Sequence, residues 1–367
     1  MDEIPDFKPL KPPTGPQKQR VIEADVLPPE TPTYQVDAKI GVQIAENMDE
    51  GGYHPVIIFG SSNSGKSSLL GSLLAYFQVD TTQEVGISLG DPLIPTETEQ
   101  GRAAFKQAEI FFYRSVQEFI GGEAHQSTKT PFPFFIPVVV RPKGKPEVKI
   151  AFMESNGEWY KPDRTSDRFF QALRSEIEGV LRHFQKRIIF IHVAPYTQSA
   201  VRDGDIDQST ERKELNDASL ALVGALDSYT RFRTNIKSED SHMFLVTKWD
   251  AHTNENDEIF EILGNPDLAE VEEFAKSKYT QGFAAFKGIR IGQSQKSIMQ
   301  YCSGLMSGRA ILKPTKELRP ILYRYPQTMW NWIYSNATEG VELIARPAPP
   351  KVSIWQSAMR LLNKILS

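Results

Sequence analysis

Four large apolar residues, Val56-Ile57-Ile58-Phe59, run directly into Gly60-Ser61-Ser62-Asn63-Ser64-Gly65-Lys66-Ser67. Apolar residues then return at Leu69, Leu70, Leu73, Leu74 and Phe77. No other feature restricts the fold of this chain as tightly. The first run is short and continuous, as in a strand buried on both faces of a parallel sheet. The second has the period of a helix. Between them lies a complete glycine-lysine loop, with Gly at the first and sixth positions followed by Lys and Ser. A loop that leaves a strand and opens a helix can turn several backbone N–H groups toward one point, at the positive end of the helix. Phosphate is the ligand that suits it, the alternative being a structural glycine turn. Gly60, Ser61, Asn63, Ser64, Gly65, Lys66, Ser67 and Ser68 are the expected contacts. Lys66 reaches the β- and γ-phosphates and serves catalysis there, while the Ser67 hydroxyl ligates Mg²⁺.

Two further motifs follow apolar strands. Thr247-Lys248-Trp249-Asp250 comes directly after Met243-Phe244-Leu245-Val246. An acid at the C-terminal end of such a strand faces the ligand crevice of an open α/β sheet. The Asp250 carboxylate can accept hydrogen bonds from guanine N1–H and the 2-amino group, a donor pair that adenine lacks, and the Lys248 stem can lie along the base. A site built on such a buried pairing rejects the base that cannot make it. Glu154-Ser155-Asn156-Gly157 follows the strand expected over 148–153. There Glu154 can hold Mg²⁺ through a water, and the Gly157 N–H can meet the γ-phosphate. Glu158 stands where a water-orienting residue would be, or is a solvated loop acid. Thr130 is the first choice for a hydroxyl completing the metal shell, with Thr128, Thr96 and Thr98 as rivals. Cys302 and Ser303, after the last strand, can touch guanine O6 through their N–H groups, or can form a plain strand-end turn.

Around these motifs the chain alternates strand and helix. Strands are expected over 132–140 and 148–153, joined as an antiparallel hairpin by Pro142-Lys143-Gly144-Lys145-Pro146, and again over 188–193, 243–246 and 297–301. Helices are expected near 105–119, 167–186 and 212–233, and after Asn265-Pro266-Asp267. The pattern predicts an α/β fold: a mainly parallel sheet with one antiparallel strand and helices on both faces. Three parts are expected: a proline-rich tail over residues 1–35, a nucleotide-binding domain over 36–345, and a proline linker with an amphipathic helix over 346–367. The helix carries Ile354, Trp355, Ala358, Met359, Leu362, Ile365 and Leu366 on one face. It either completes the core or docks on a protein partner; with few basic residues, a membrane is at most a peripheral contact.

Composition excludes other classes. Of 367 residues, 24% are charged and 40% hydrophobic, and the formal net charge is -4, so the basic field that nucleic acid requires is missing. One cysteine, Cys302, excludes an intrachain disulfide and fits a reducing cytoplasm. No apolar run is long enough to span a bilayer.

Gly60 to Ser68, Glu154-Ser155-Asn156-Gly157 and Thr247-Lys248-Trp249-Asp250, in this order, resemble the translation-factor-related class of P-loop GTPases. Asn63-Ser64 before Gly65-Lys66-Ser67-Ser68 is similar to the bacterial small-GTPase form of the loop. The hairpin leading to Glu154, with Gly157 and Glu158 after it, is similar to bacterial double-GTPase-like families. The resemblance spans about 56–304. It implies guanine-nucleotide binding, Mg²⁺, and slow hydrolysis to GDP and phosphate that switches the Thr130 and Gly157 loops for a protein partner. Two positions depart from the family: Glu154 replaces its usual Asp, and Glu158 stands where Gln is frequent. No arginine finger is assignable within the chain. A scaffold that binds nucleotide with little hydrolysis, and an ATP-using P-loop enzyme, are the competing readings.

Overall fold

The computed structural model of the chain describes residues 38–79, 84–121, 133–155, 175–197, 208–233, 236, 239–249, 268–289, 295–301 and 319–344. The tail over 1–35 and the segment over 346–367 lie outside the described residues. Among the described residues seven strands make one sheet, in the order β2-β3-β4-β1-β5-β6-β7. They are β1 (Tyr53–Phe59), β2 (Val85–Leu89), β3 (Phe134–Pro142), β4 (Val148–Glu154), β5 (Ile189–Pro195), β6 (Ser241–Thr247) and β7 (Lys296–Gln300). β4, β1, β5, β6 and β7 are parallel neighbours. β3 alone runs against its neighbours, β2 and β4. The architecture is the expected α/β sheet with one antiparallel strand.

Burial explains which strands form the centre. Val56, Ile57, Ile58 and Phe59 are at most 1% exposed, as are Ile189, Phe190 and Ile191. Strands covered on both faces tolerate no alternation, hence their continuous apolar runs. The outer strands β2 and β7 are half-exposed and correspondingly mixed in sequence.

Helices cover both faces. On one lie α2 (Lys66–Val79), α3 (Glu99–Gly121) and α8, which is Arg319–Ala337. Trp330 of α8 wedges between Phe77 and Phe152, and its Nε1–H donates to the Leu73 carbonyl of α2 at 2.8 Å. Leu69, Leu70, Leu73 and Leu74 are all fully buried, because α2 is enclosed by the sheet, α3 and α8. On the other face lie α1 (Ala38–Gly51), α4 (Ser175–His183), α5 (Gln208–Arg233), α6 (Leu268–Lys278) and α7 (Thr280–Gly288). α1 and α4 touch backbone to backbone: a Cβ on Gly179 would lie 2.3 Å from the Gly41 Cα. α1, β2 and α8 are additions to the sequence-based expectation. The helix expected over 167–186 is described over Ser175–His183.

Between β1, β5, β6 and α5, the second face carries stacked rings. Phe59, Phe190, His192 and His242 lie with interplanar angles of 20° or less, and Tyr229 of α5 meets Phe190 and His242 edge-on. His192 Nε2 and His242 Nδ1 are 3.2 Å apart. Burial holds His192 at about 3, against an ordinary 6.5. Burial, followed by His192, Lys296 and Arg233 nearby, holds His242 at about 2. Both rings are neutral and act as core aromatics.

Candidate nucleotide-binding site

β1 is where the sheet changes direction. The chain leaves it to build β2, β3 and β4 on one side, then crosses to build β5, β6 and β7 on the other. Ligand crevices of open α/β sheets form at the C-terminal strand ends beside such a reversal. The loop from Gly60 to Gly65 occupies that place, and Lys66 begins α2.

The loop's shape follows from its residues. Gly60 is hemmed in: a Cβ there would lie 2.7 Å from Ser64 Oγ and 3.1 Å from the Val193 Cβ. Asn63 and Gly65 are in the left-handed region, at φ 58° and 88°, where glycine is at home and asparagine tolerated. The Leu69 N–H donates to the Gly65 carbonyl at 2.9 Å and starts the α2 ladder. Lys66 is 6% exposed, and its ammonium donates to the Gly60 and Ser61 carbonyls, both at 2.8 Å. A buried cation at the opening of a helix, under a loop with two left-handed residues, suits a polyanion. Ser64 Oγ is buried and has no hydrogen-bond partner among the described residues.

Residues far apart in the chain converge on this loop. From β4, Glu154 comes within reach of α2: the Ser67 hydroxyl donates to its Oε1 at 2.6 Å. Two of the three residues expected to hold Mg²⁺, Ser67 and Glu154, are thus in direct contact, and Glu154 is 1% exposed. The longer side chain at this position spans the gap to the hydroxyl. A hydroxyl and a carboxylate are oxygen donors of the kind Mg²⁺ takes, and the ion keeps several waters of its own. From β6, the Thr247 hydroxyl donates to the Ser64 carbonyl at 2.6 Å and fixes the end of β6 to the Gly60–Gly65 loop.

Beyond Thr247 the backbone turns sharply. Lys248 has φ 58°, a conformation that costs on the order of 1 kcal/mol or more for a residue of this kind and needs surrounding support. Support comes from Trp249, 2% exposed and packed edge-on against Tyr196 and Phe274. The Trp249 N–H donates to the Tyr301 carbonyl, the Tyr301 N–H to the Val246 carbonyl, and the Tyr196 N–H to the Thr247 carbonyl. The ends of β5, β6 and β7 are laced together beside the loop. Tyr301 is also hydrogen-bonded through its hydroxyl to Ser72 of α2. Trp249, Tyr301 and Ser72 are supports that sequence reasoning missed. Nothing in their spacing announces them, although a Trp inside a four-residue polar motif is a hint of burial.

Of the expected residues, the structure brings together Gly60, Ser61, Asn63, Ser64, Gly65, Lys66, Ser67, Ser68, Glu154, Thr247 and Lys248. Thr130, Thr128, Gly157, Glu158, Asp250, Cys302 and Ser303 lie outside the described residues. Thr98 caps α3: its hydroxyl receives the Gly101 N–H at 3.0 Å and donates to the Pro95 carbonyl at 2.8 Å. Among the described residues no helix is long and apolar enough to cross a membrane, and no cluster of three or more His, Cys, Asp or Glu stands ready for a metal. No protein-family model matches the chain, and no curated protein matches it in sequence.

Proposed function

We propose that the chain binds GTP with Mg²⁺ and hydrolyses it slowly, acting as a switch read by a protein partner. One observation carries the reading. Lys66 and Ser67 at the loop, Glu154 from β4 and Thr247 from β6 converge at the sheet's reversal point through two hydrogen bonds of 2.6 Å. These are the roles a triphosphate site needs, supplied by three separate strand ends.

In this proposal Lys66 leaves its two carbonyls for the β- and γ-phosphates. Backbone N–H groups of the loop hold the phosphate oxygens, and Ser67 and Glu154 hold the ion, Glu154 through a water. Mg²⁺ supplies charge neutralisation at the phosphate oxygens. Asp250, one residue beyond the anchored Trp249, selects guanine. Glu158 places a carboxylate beside a polyanion, and no arginine is assigned to offset the charge, so turnover without a partner is slow. The family resemblance assigns the partner's contact to the loops around Thr130 and Gly157, and the single cysteine suits a cytoplasmic setting.

The test is competition binding of GTP, ATP and xanthosine triphosphate to wild type and Asp250→Asn. Wild type should prefer GTP to ATP by at least tenfold, and the variant should shift toward xanthosine triphosphate, because an amide donates to the xanthine 2-oxo group. Equal affinity for GTP and ATP contradicts the guanine assignment. Single-turnover hydrolysis then separates a switch from a scaffold: no phosphate release even over hours would leave a binding module.

A further inference from the structure

A groove of about 600 Å³ lies between the outer strand β7 and helix α8. Its lining includes Ile298, Gln300, Tyr325, Met329, Trp332 and Asn336. Gln300 is 5% exposed, yet neither its amide oxygen nor its nitrogen has a hydrogen-bond partner among the described residues. A groove of mixed apolar and polar lining, with an unmet amide, asks for an occupant that has an apolar face and carries polar groups beside it. The groove is also elongated. Its α8 wall runs from Tyr325 to Asn336, about 16 Å of helix at 1.5 Å per residue.

The chain itself leads toward this wall. After α8 the backbone turns through Glu339 (φ 56°) and Gly340 (φ 108°), and Gly340 and Glu342 belong to the groove's rim. Residues 341–344 then return alongside α8: the Ile344 N–H donates to Asn331 Oδ1 at 2.8 Å, and Asn331 Nδ2 donates to the Ile344 carbonyl at 3.1 Å. Asn331 is itself a groove residue. The next residues in sequence carry Pro347, Pro349 and Pro350, then the apolar stripe of Ile354, Trp355, Ala358, Met359, Leu362, Ile365 and Leu366. Residues 345–353 reach up to about 30 Å when extended, ample for a return along a 16 Å wall. On a helix Asn363 falls beside the edge of that stripe, where an amide can meet Gln300.

We infer that the groove between β7 and α8 seats the chain's own C-terminal segment, residues 354–366, in cis, with its apolar stripe against the half-buried Ile298 and Trp332. The seat abuts the nucleotide site's supports, because Tyr325 packs edge-on against Tyr301, whose carbonyl receives the Trp249 N–H. The inference does not depend on which nucleotide is bound.

A fluorescein-labelled peptide of residues 351–367 tests it against the full chain and a chain ending at Pro350. The peptide should bind the shortened chain at least tenfold more tightly than the full one, whose groove is already filled. Ile298→Asp in the shortened chain should remove the binding. If the shortened chain does not fold, full-length Trp355→Asp/Leu362→Asp takes its place and should bind the peptide equally well. Equal binding to full and shortened chains would overturn the inference, as would indifference to Ile298→Asp. So would a full-length dimer that dissociates on shortening, which would give the groove to the segment of a second copy.

Discussion

The two ends of the sheet use buried charge in opposite ways. At the N-terminal end of β5 and β6, Arg233 is completely buried and fully engaged. Its guanidinium donates to both Asp240 carboxylate oxygens, at 2.8 and 2.7 Å, and to the carbonyls of Leu181, Phe184 and Lys186. Asp240 also accepts the Ile188 N–H at 2.8 Å, and the neighbouring Ser241 hydroxyl donates to Asn336 at 2.6 Å. One ion pair thereby closes the ends of α4 and α5 and the start of β6. At the other end, Lys66 is nearly as buried, but it is held by the carbonyls of its own loop, beside left-handed Asn63 and Gly65 and a Ser64 hydroxyl with no partner among the described residues. The first arrangement completes the fold. The second leaves its groups in a geometry that a phosphate would complete.

Breaking the closed end should have the largest effect on stability. Arg233→Ala leaves Asp240 buried without its partner, and loss of one member of a buried pair costs about 3–5 kcal/mol. Urea unfolding should show that loss, while the folded fraction keeps whatever affinity wild type has for the proposed nucleotide. Gly179→Ala should come next: the new Cβ has no room against Gly41, and overpacking of this kind costs about 1–3 kcal/mol. Its expected signature is a lower melting temperature with little change in binding of the proposed nucleotide, since α1 and α4 lie on the sheet face opposite α2.

The ring stack between the two ends gives a pH dependence of defined sign. His192 and His242 remain neutral in the folded chain down to about 3 and about 2. In the unfolded chain they take up protons below about 6.5. The unfolded state therefore binds more protons through that window, and stability falls as pH drops from 6.5 toward 3. Urea midpoints between pH 7.5 and 4 should show the slope, and His192→Phe should reduce it. The smallest effect is expected at the support between the α2 helix and the base side. Tyr301→Phe removes the bond to Ser72, worth about 1 kcal/mol, and should weaken GTP by less than tenfold with the fold intact.

The comparison also explains what was legible in the sequence. β1, β5 and β6 can be read directly because a strand covered on both faces must be apolar throughout. The Gly60–Ser67 loop can be read because Gly60, Asn63, Gly65, Lys66 and Ser67 each answer a local demand of backbone shape or charge. β2 escapes because an edge strand with one wet face needs no strong pattern, and Val85–Leu89 contains Gly86. α1 escapes for a different reason: Ile40, Ile44 and Met48 do recur at helical spacing, but the proline-rich stretch before them masks where order begins. The contacts that tie the site together, Ser67 to Glu154 and Thr247 to Ser64, join residues 87 and 183 positions apart. Motif types make such contacts reasonable, but only the register of β4 against β1, and of β6 against β1 through β5, brings them about. The Arg233–Asp240 pair has no motif at all, since nothing local distinguishes a buried arginine from a solvated one at the end of a helix.

The central claim is that the lysine end of the sheet is kept for a triphosphate. Its most direct test is titration of a fluorescent GTP analogue with Mg²⁺ into wild type and Lys66→Ala, with a melting curve recorded on each sample. The account predicts saturable binding to wild type, a loss of at least a hundredfold in the variant, and stabilities within about 1 kcal/mol of each other. Undiminished affinity in a folded Lys66→Ala chain would contradict it.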